Sequence, residues 1–387
     1  MVTDEQVARH RDHLTALSVD GEPLSATCPH ATTRNPVWFS PATGRATPER
    51  MELHRAILTS ALEQTAHVPK DHQAIVLAGP PGAGKTRVLE EVLSRSRDGA
   101  QADPANWRTL NSDDFKDDLL DHAIADGSYE TFLKAPVIRD LEAAGEKFYP
   151  RELAALVHGE SSFLMRQATA QALALGQNIV IDGTLSRSTR AHQMLEELAR
   201  AGYEVSVVDV EAPREVTQER VAARWRHDYL AVESGTATGP TATLGGRWVP
   251  TSFSGALYGA GRDDRSVCED VAAEVAARHQ VVRQFDLYRV TGVDASPTHV
   301  ARRGRVGDSD LLDAATYAAQ SVGAPSPARH TTPKAPEAPS AAATARAEAA
   351  QSFPTSARDA MRGGRAAKAR NQGVTRSERD RDQGLGR

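Results

Sequence analysis

Residues 74–93 read AIVLAGPPGAGKTRVLEEVL. The apolar run from Ala74 to Ala78 has the length of a buried strand. Gly79, Pro80, Pro81, Gly82, Ala83, Gly84, Lys85 and Thr86 then fit the pattern G-x-x-x-x-G-K-[ST]. Val88, Leu89, Val92 and Leu93 follow at helical spacing. Strand, glycine loop and helix in that order make a phosphate cradle, because the loop amides and the helix N-terminus face an anion. Gly82 and Gly84 allow backbone angles and close approaches that a side chain forbids. Lys85 is expected to reach the outer phosphates of a nucleotide, and the Thr86 hydroxyl to ligate Mg2+. Pumps, switches, motors and kinases share this cradle, so the use made of the nucleotide has to be read elsewhere.

The chain has 387 residues, enough for one or two domains plus tails. Its two cysteines, Cys28 and Cys268, form neither a disulfide framework nor a metal-ligand spacing, which points to a reducing compartment. No apolar run approaches a membrane span, and the opening MVTDEQVARHRDHL lacks the apolar core of a signal peptide. A cytoplasmic protein is the expectation. The net charge of −5 argues against a nucleic-acid binder. That charge is uneven: residues 358–387 carry +5 and the remainder −10. Residues 322–357 are rich in Ala, Pro, Ser and Thr, and are expected to be disordered for lack of apolar surface to bury. The basic end is read as a solvated tail, with a grip on nucleic acid, membrane or an acidic partner as the alternative.

The rest divides into a partly irregular extension (1–46), a catalytic-type domain (47–295) and a linker with tail (296–387). A helix should open at TPERMELHRAILTSALEQ, with Thr47 as cap and Pro48 in the first turn. Strands are predicted at 107–111, 178–182, 203–210 and 281–290, and helices at 163–175, 188–202 and 214–230. This alternation predicts an α/β fold with a mainly parallel sheet covered by helices on both faces. Ligands of such sheets lie beyond the carboxyl ends of the strands.

The polar residues beyond those ends are therefore the candidates. Asp113 and Asp114 follow WRTLN; a carboxylate there can take a proton from an attacking hydroxyl, or cap the next helix. Asp182, Gly183 and Thr184 follow NIVI; Asp182 is a candidate Mg2+-assisting acid, with helix capping again the alternative. No Glu follows Asp182 and no N-K-x-D occurs, which weighs against a motor and a GTPase. Arg220 and Arg224 share a helix face, and Arg247 lies in the Gly/Thr-rich stretch ESGTATGPTATLGGRWVP, the composition of a closing lid. Such arginines neutralise a phosphoryl group in transfer; surface solvation is the plainer reading of Arg220. HGESS (158–162), with Glu160, is a candidate for reading a sugar or nucleotide hydroxyl, or a capping arrangement.

GPPGAGKT, NSDDFK, HGESS, NIVIDGT, APREVTQERVAARW and GRWVP, in this order, resemble the zeta-toxin family of P-loop kinases over roughly residues 47–290. The resemblance implies a P-loop NTPase kinase-like fold, ATP and Mg2+ as cofactors, and a protein antitoxin as partner. It also implies transfer to the 3′-hydroxyl of the N-acetylglucosamine moiety of UDP-N-acetylglucosamine. It assigns Lys85 and Thr86 to ATP-Mg, Asp113 to the base, Arg224 and Arg247 to the phosphate clamp, and Asp182 and Thr184 to the substrate side. The arginine that the family often carries two residues after that threonine is replaced by Ser186, with Arg187 following. The family's sugar-reading glutamate has no counterpart at the same spacing, and Glu160 is the nearest by motif. A kinase for another metabolite, a nucleoside or an antibiotic is the alternative. A nucleotide-dependent binding module using the basic tail is a second.

Overall fold

The computed structural model describes residues 2–95 and 102–321. The tail 322–387, expected to be disordered, lies outside the described residues.

Helix α1 (Asp4–Leu17) is followed by turns up to α2 (Pro48–Gln64), which opens as its sequence suggests: the Thr47 side chain accepts from the Arg50 amide and Pro48 stands in the first turn. Next come β1 (Gln73–Ala78), α3 (Lys85–Ser94), β2 (Arg108–Asn111), α4 (Ser112–Asp126), α5 (Pro136–Ala143) and α6 (His158–Leu175). They are followed by β3 (Ile179–Asp182), α7 (Ser188–Arg200), β4 (Glu204–Glu211) and α8 (Arg214–Glu233). Two short helices, α9 (Pro240–Leu244) and α10 (Thr251–Gly255), precede α11 (Val267–Arg278) and β5 (Val282–Arg289). The described chain ends with β6 (Thr298–Gly304), β7 (Leu312–Asp313) and α12 (Ala314–Ser321).

The sheet order is β2-β3-β1-β4-β5-β6-β7. The first five strands run parallel, and β6 and β7 run antiparallel at one edge. Alternation along β1 explains the two covered faces. Ala74, Val76 and Ala78 join the larger core with α4, α6, α7 and α11, whereas Ile75 and Leu77 pack with Val88 and Leu93 of α3. The order reverses at β1, whose neighbours are β3 and β4, so the crevice for a ligand opens at its carboxyl end. β6, β7 and α12 lie beyond residue 295, where composition suggested a linker. The pairing of β6 is sealed by Asp286, fully buried on β5, which accepts from His299 and Arg302 at 2.7 Å each. Among the described residues no helix is long and apolar enough to cross a membrane.

Candidate functional site

Beyond β1 the backbone requires glycine. Gly79 has φ 118°, and a Cβ there would stand 2.0 Å from the Val210 carbonyl oxygen. Gly82, at φ 86°, would meet the Thr217 oxygen at 2.6 Å. Gly84 caps α3 in the left-handed region and offers no side chain to the first turn, so the amides of that turn are left for a ligand. Lys85 Nζ donates to the Gly79 and Pro80 oxygens at 3.0 and 3.4 Å. Burial lowers the Lys85 pKa, and Asp182 and Asp113 counter it.

The ends of β2 and β3 stand level with the end of β1, since Asp182 pairs in register with both Leu77 and Asn111. Asn111 Nδ2 donates to Asp182 at 3.3 Å, while Asn111 Oδ1 accepts from the Asp113 amide at 2.9 Å. Asn111 is thus the cap of α4, and neither aspartate is spent on that role. Asp182 caps nothing either, for α7 begins at Ser188 without a side-chain cap. The Asp113 carboxylate accepts from Lys116 Nζ at 2.8 Å and Arg247 Nη1 at 2.6 Å. Burial opposes its ionisation, but Lys116 and Arg247 outweigh burial and hold the carboxyl down at about 2. Burial raises the Asp182 carboxyl, with Lys85 pulling the other way.

Arg247 reaches this carboxylate from an irregular segment, residues 245–250, pinned from several sides. Its Nη2 donates to Asp117 at 3.3 Å. Arg151 binds the same Asp117 at 2.6 Å and donates to Thr241 Oγ1 and the Gly245 oxygen at 3.2 and 3.4 Å. The glycines of the expected lid serve close packing: a Cβ on Gly245 would lie 2.2 Å from Tyr149 Cβ, and one on Gly246 2.8 Å from the Trp225 oxygen. Arg224 feels Arg247, Asp113 and Asp228, and makes no hydrogen bond or ion pair among the described residues. Arg220 is not a solvated surface cation. It donates to Val293, Gly292 and Ala295 oxygens at 2.8, 3.2 and 2.5 Å and to Gly82 at 3.4 Å, tying the glycine loop to the turn after β5.

Thr184 lies beside the cradle, its oxygen accepting from the Gly79 amide at 3.2 Å and its hydroxyl 3.0 Å from that of Ser186. Glu160 is not with this group, and its assignment to a substrate hydroxyl is corrected. It is 0% exposed, and accepts from Arg50 at 2.5 and 2.9 Å and from His54. Fully buried and paired with two basic side chains, this carboxylate presents no surface to a substrate. From the same HGESS stretch it is His158, at the start of α6, that comes near Asp113, Lys116 and Arg187. Partial burial lowers its pKa, Lys116 and Arg187 add to that, and Asp113 opposes it. Lys116, Asp117 and Arg151 are the residues that sequence reading did not select, and His158 was read only as part of the HGESS stretch. The signal for Lys116 and Asp117 was their place within one turn of Asp113 on one helix; Arg151 carried none.

Cradle, sheet order and levelled carboxylates define a P-loop NTPase fold of the kinase-like kind. A family model described as an AAA domain matches residues 75–238. Among solved structures, the chain is similar to AvrRxo1-ORF1:-ORF2 with ATP, at 18% identity and TM-score 0.43, covering 72% of this chain and 74% of that one. It is also similar to a structure from the PezAT chromosomal toxin-antitoxin system of Streptococcus pneumoniae, at 15% identity and TM-score 0.39, covering 66% of this chain and 82% of that one. No curated protein matches.

Proposed function

We propose that the protein is an ATP-dependent kinase that phosphorylates a hydroxyl of a small molecule. The observation that carries this reading is Asp113, an ionised carboxylate at the end of β2. It is gripped by Arg247 and Lys116, and Lys85 and Asp182 stand beside it. A nucleotide switch has no use for such a base and clamp.

The residues present fit ATP and Mg2+. The turns at Gly79 and Gly82 leave no room for a Cβ, the first-turn amides of α3 carry no side-chain cap, and Thr86 and Asp182 supply the oxygens that Mg2+ prefers. ATP supplies the phosphoryl group when bound. Asp113 takes the proton of the acceptor hydroxyl, Lys85 leaves the Gly79 carbonyl for the phosphates, and Arg224 and Arg247 neutralise the charge that develops. Asp182 and Thr184 stand on the acceptor side of the cradle.

For the acceptor, the motif resemblance favours the 3′-hydroxyl of the N-acetylglucosamine moiety of UDP-N-acetylglucosamine. The cations around Asp113, namely Lys116, Arg247 and Arg224, suit a phosphate-bearing acceptor of that kind. An antitoxin partner and a cytoplasmic setting belong to the same reading. The test is purified protein with ATP-Mg and a panel of UDP-sugars, nucleosides and antibiotics, read by mass for a gain of one phosphoryl group. Gain on a nucleoside or antibiotic alone would move the assignment to another metabolite. No gain, together with retention of nucleic acid on a filter that depends on residues 322–387, would favour a binding module.

A further inference from the structure

The N-terminal helix is packed against the two residues that follow the clamp arginines. Trp225 comes directly after Arg224 and Trp248 directly after Arg247. Their indoles meet edge to face, with ring centres 5.4 Å apart at 75°. Each indole N–H has a buried partner. Trp248 Nε1 donates to Ser18 Oγ at 2.9 Å, and Ser18 is the C-cap of α1. Trp225 Nε1 donates to Glu152 at 2.9 Å. That carboxylate is shared with His10 of α1, whose Nε2 lies 3.1 Å from it, and with the Tyr149 amide at 2.8 Å. His10 is 0% exposed; its ring stacks on Tyr229 at 5.1 Å and on Trp225 at 6.0 Å.

We propose that α1 and its cap Ser18 are a positioning element for phosphoryl transfer, holding Arg224 and Arg247 through the Trp225–Trp248 pair. Helix α1 and Ser18 on this account raise activity. The inference rests on the kinase reading for the role of the arginines. Its physical basis is that residues 245–250 belong to neither helix nor strand, so the line of approach of Arg247 to Asp113 is set by what anchors its neighbours. Misplacement of a charge-neutralising group by a fraction of an ångström costs rate without costing substrate binding. Val7, Leu14 and Leu17 bury the apolar face of α1 in the core, and His10 Nδ1 lies 3.3 Å from Glu146, whereas the ion pairs of Asp4 with Arg226 and Arg9 with Glu146 are partly exposed and add little.

The test uses full-length Ser18→Ala, Ser18→Thr and Trp248→Phe. The Ser18→Ala and Trp248→Phe variants should each lose about 3- to 10-fold in kcat, the scale of one buried hydrogen bond. Affinity for ATP should stay within about two-fold, since the clamp acts in the transition state. Ser18→Thr, which keeps the hydroxyl, should restore the rate. In an Arg247→Ala background, Ser18→Ala should cost clearly less than in the wild type, because the Ser18 hydroxyl holds Trp248, the neighbour of Arg247, directly and reaches Arg224 only through the indole pair. Amide hydrogen exchange over residues 245–250 should quicken in Ser18→Ala while residues 85–94 keep their protection. Additive rate losses, or unchanged exchange over 245–250, overturn the proposal. Exchange needs no turnover. A wild type inactive on every acceptor, with exchange still responding, therefore counts against the kinase reading and leaves the anchoring of Arg247 standing.

Discussion

Arg247 donates to Asp113 at 2.6 Å across 134 positions of sequence, and Lys116 holds the other oxygen of the same carboxylate at 2.8 Å. The three groups lock one another. A carboxyl held down at about 2 is ionised at every working pH, but so well neutralised that it accepts a proton poorly. The proposed mechanism therefore needs Arg247 to turn from Asp113 to the phosphates, which strengthens the base at the moment it is needed.

Arg247→Ala makes that exchange visible. Loss of the clamp should lower kcat more than it weakens ATP binding. The substitution also removes one of the three cations that depress the Asp113 carboxyl, so the folded-state pKa rises toward the ordinary value. The acid limb of kcat/KM should accordingly move to higher pH. A variant that only raises KM for ATP, with its acid limb in place, would make Arg247 a ground-state nucleotide contact.

Arg220 and Arg224 should differ in kind. Arg224 carries no partner among the described residues, so Arg224→Ala should cost turnover and leave thermal stability nearly unchanged. Arg220 holds three carbonyls of the turn after β5 and one of the glycine loop. Arg220→Ala should lower stability by about 1.5–3 kcal/mol, as for hydrogen bonds to a charged group, and weaken ATP binding with a smaller loss of kcat. The reverse pattern in melting and steady-state measurements would mean that the faces of α8 have been misassigned.

Glu160→Gln tests the correction made above. Breaking a buried pair by neutralising one partner is worth about 3–5 kcal/mol, and the arginine left behind, Arg50, is itself buried. Burial opposes the Glu160 anion, yet His54 and Arg50 hold the carboxyl down at about 2. Its contribution to stability is therefore fully present above the usual glutamate range and is lost as pH falls toward 2. Melting curves at pH 7 and pH 3 should show a large difference between wild type and variant at pH 7 and a smaller one at pH 3. A normal melting temperature with a raised acceptor KM would return Glu160 to the substrate.

What was legible follows from what is local. β1, the glycine loop and α3 are contiguous, and parallel strands covered on both faces read as apolar runs, so the fold could be read from spacing alone. THVARRG hid β6, because a strand covered on its outer side by only the two residues of β7 can carry charge, and its pairing depends on the buried Asp286 of another strand. Glu160 was misread because Arg50 and His54, which saturate it, lie 110 and 106 positions away. Asp113 could be picked out because a strand end and a helix start are both written around it. Its grip by Arg247 could not, since that contact is made only by the folded chain.

Asp113→Asn separates the kinase from every other user of the same cradle. Lys85→Ala would disable any P-loop protein and decides nothing. The amide keeps the size of the carboxylate, and its carbonyl can still accept from Lys116 or Arg247, but it cannot take a proton. ATP-Mg affinity should stay within a few-fold while phosphoryl transfer falls by roughly 10²–10⁴, the usual worth of a positioned base. Asp114→Asn should do much less, because Lys116 and Arg247 grip Asp113 and not its neighbour. Should the toxin resemblance carry over to cells, wild type arrests bacterial growth and the Asn variant does not. Near wild-type transfer by Asp113→Asn would sink the assignment. Joint loss of nucleotide binding and rate would instead make Asp113 a metal-site residue. The base would then have to be sought at Asp182, which faces Lys85, or at the imidazole of His158, whose pKa burial lowers, since Glu160 is sealed inside the fold.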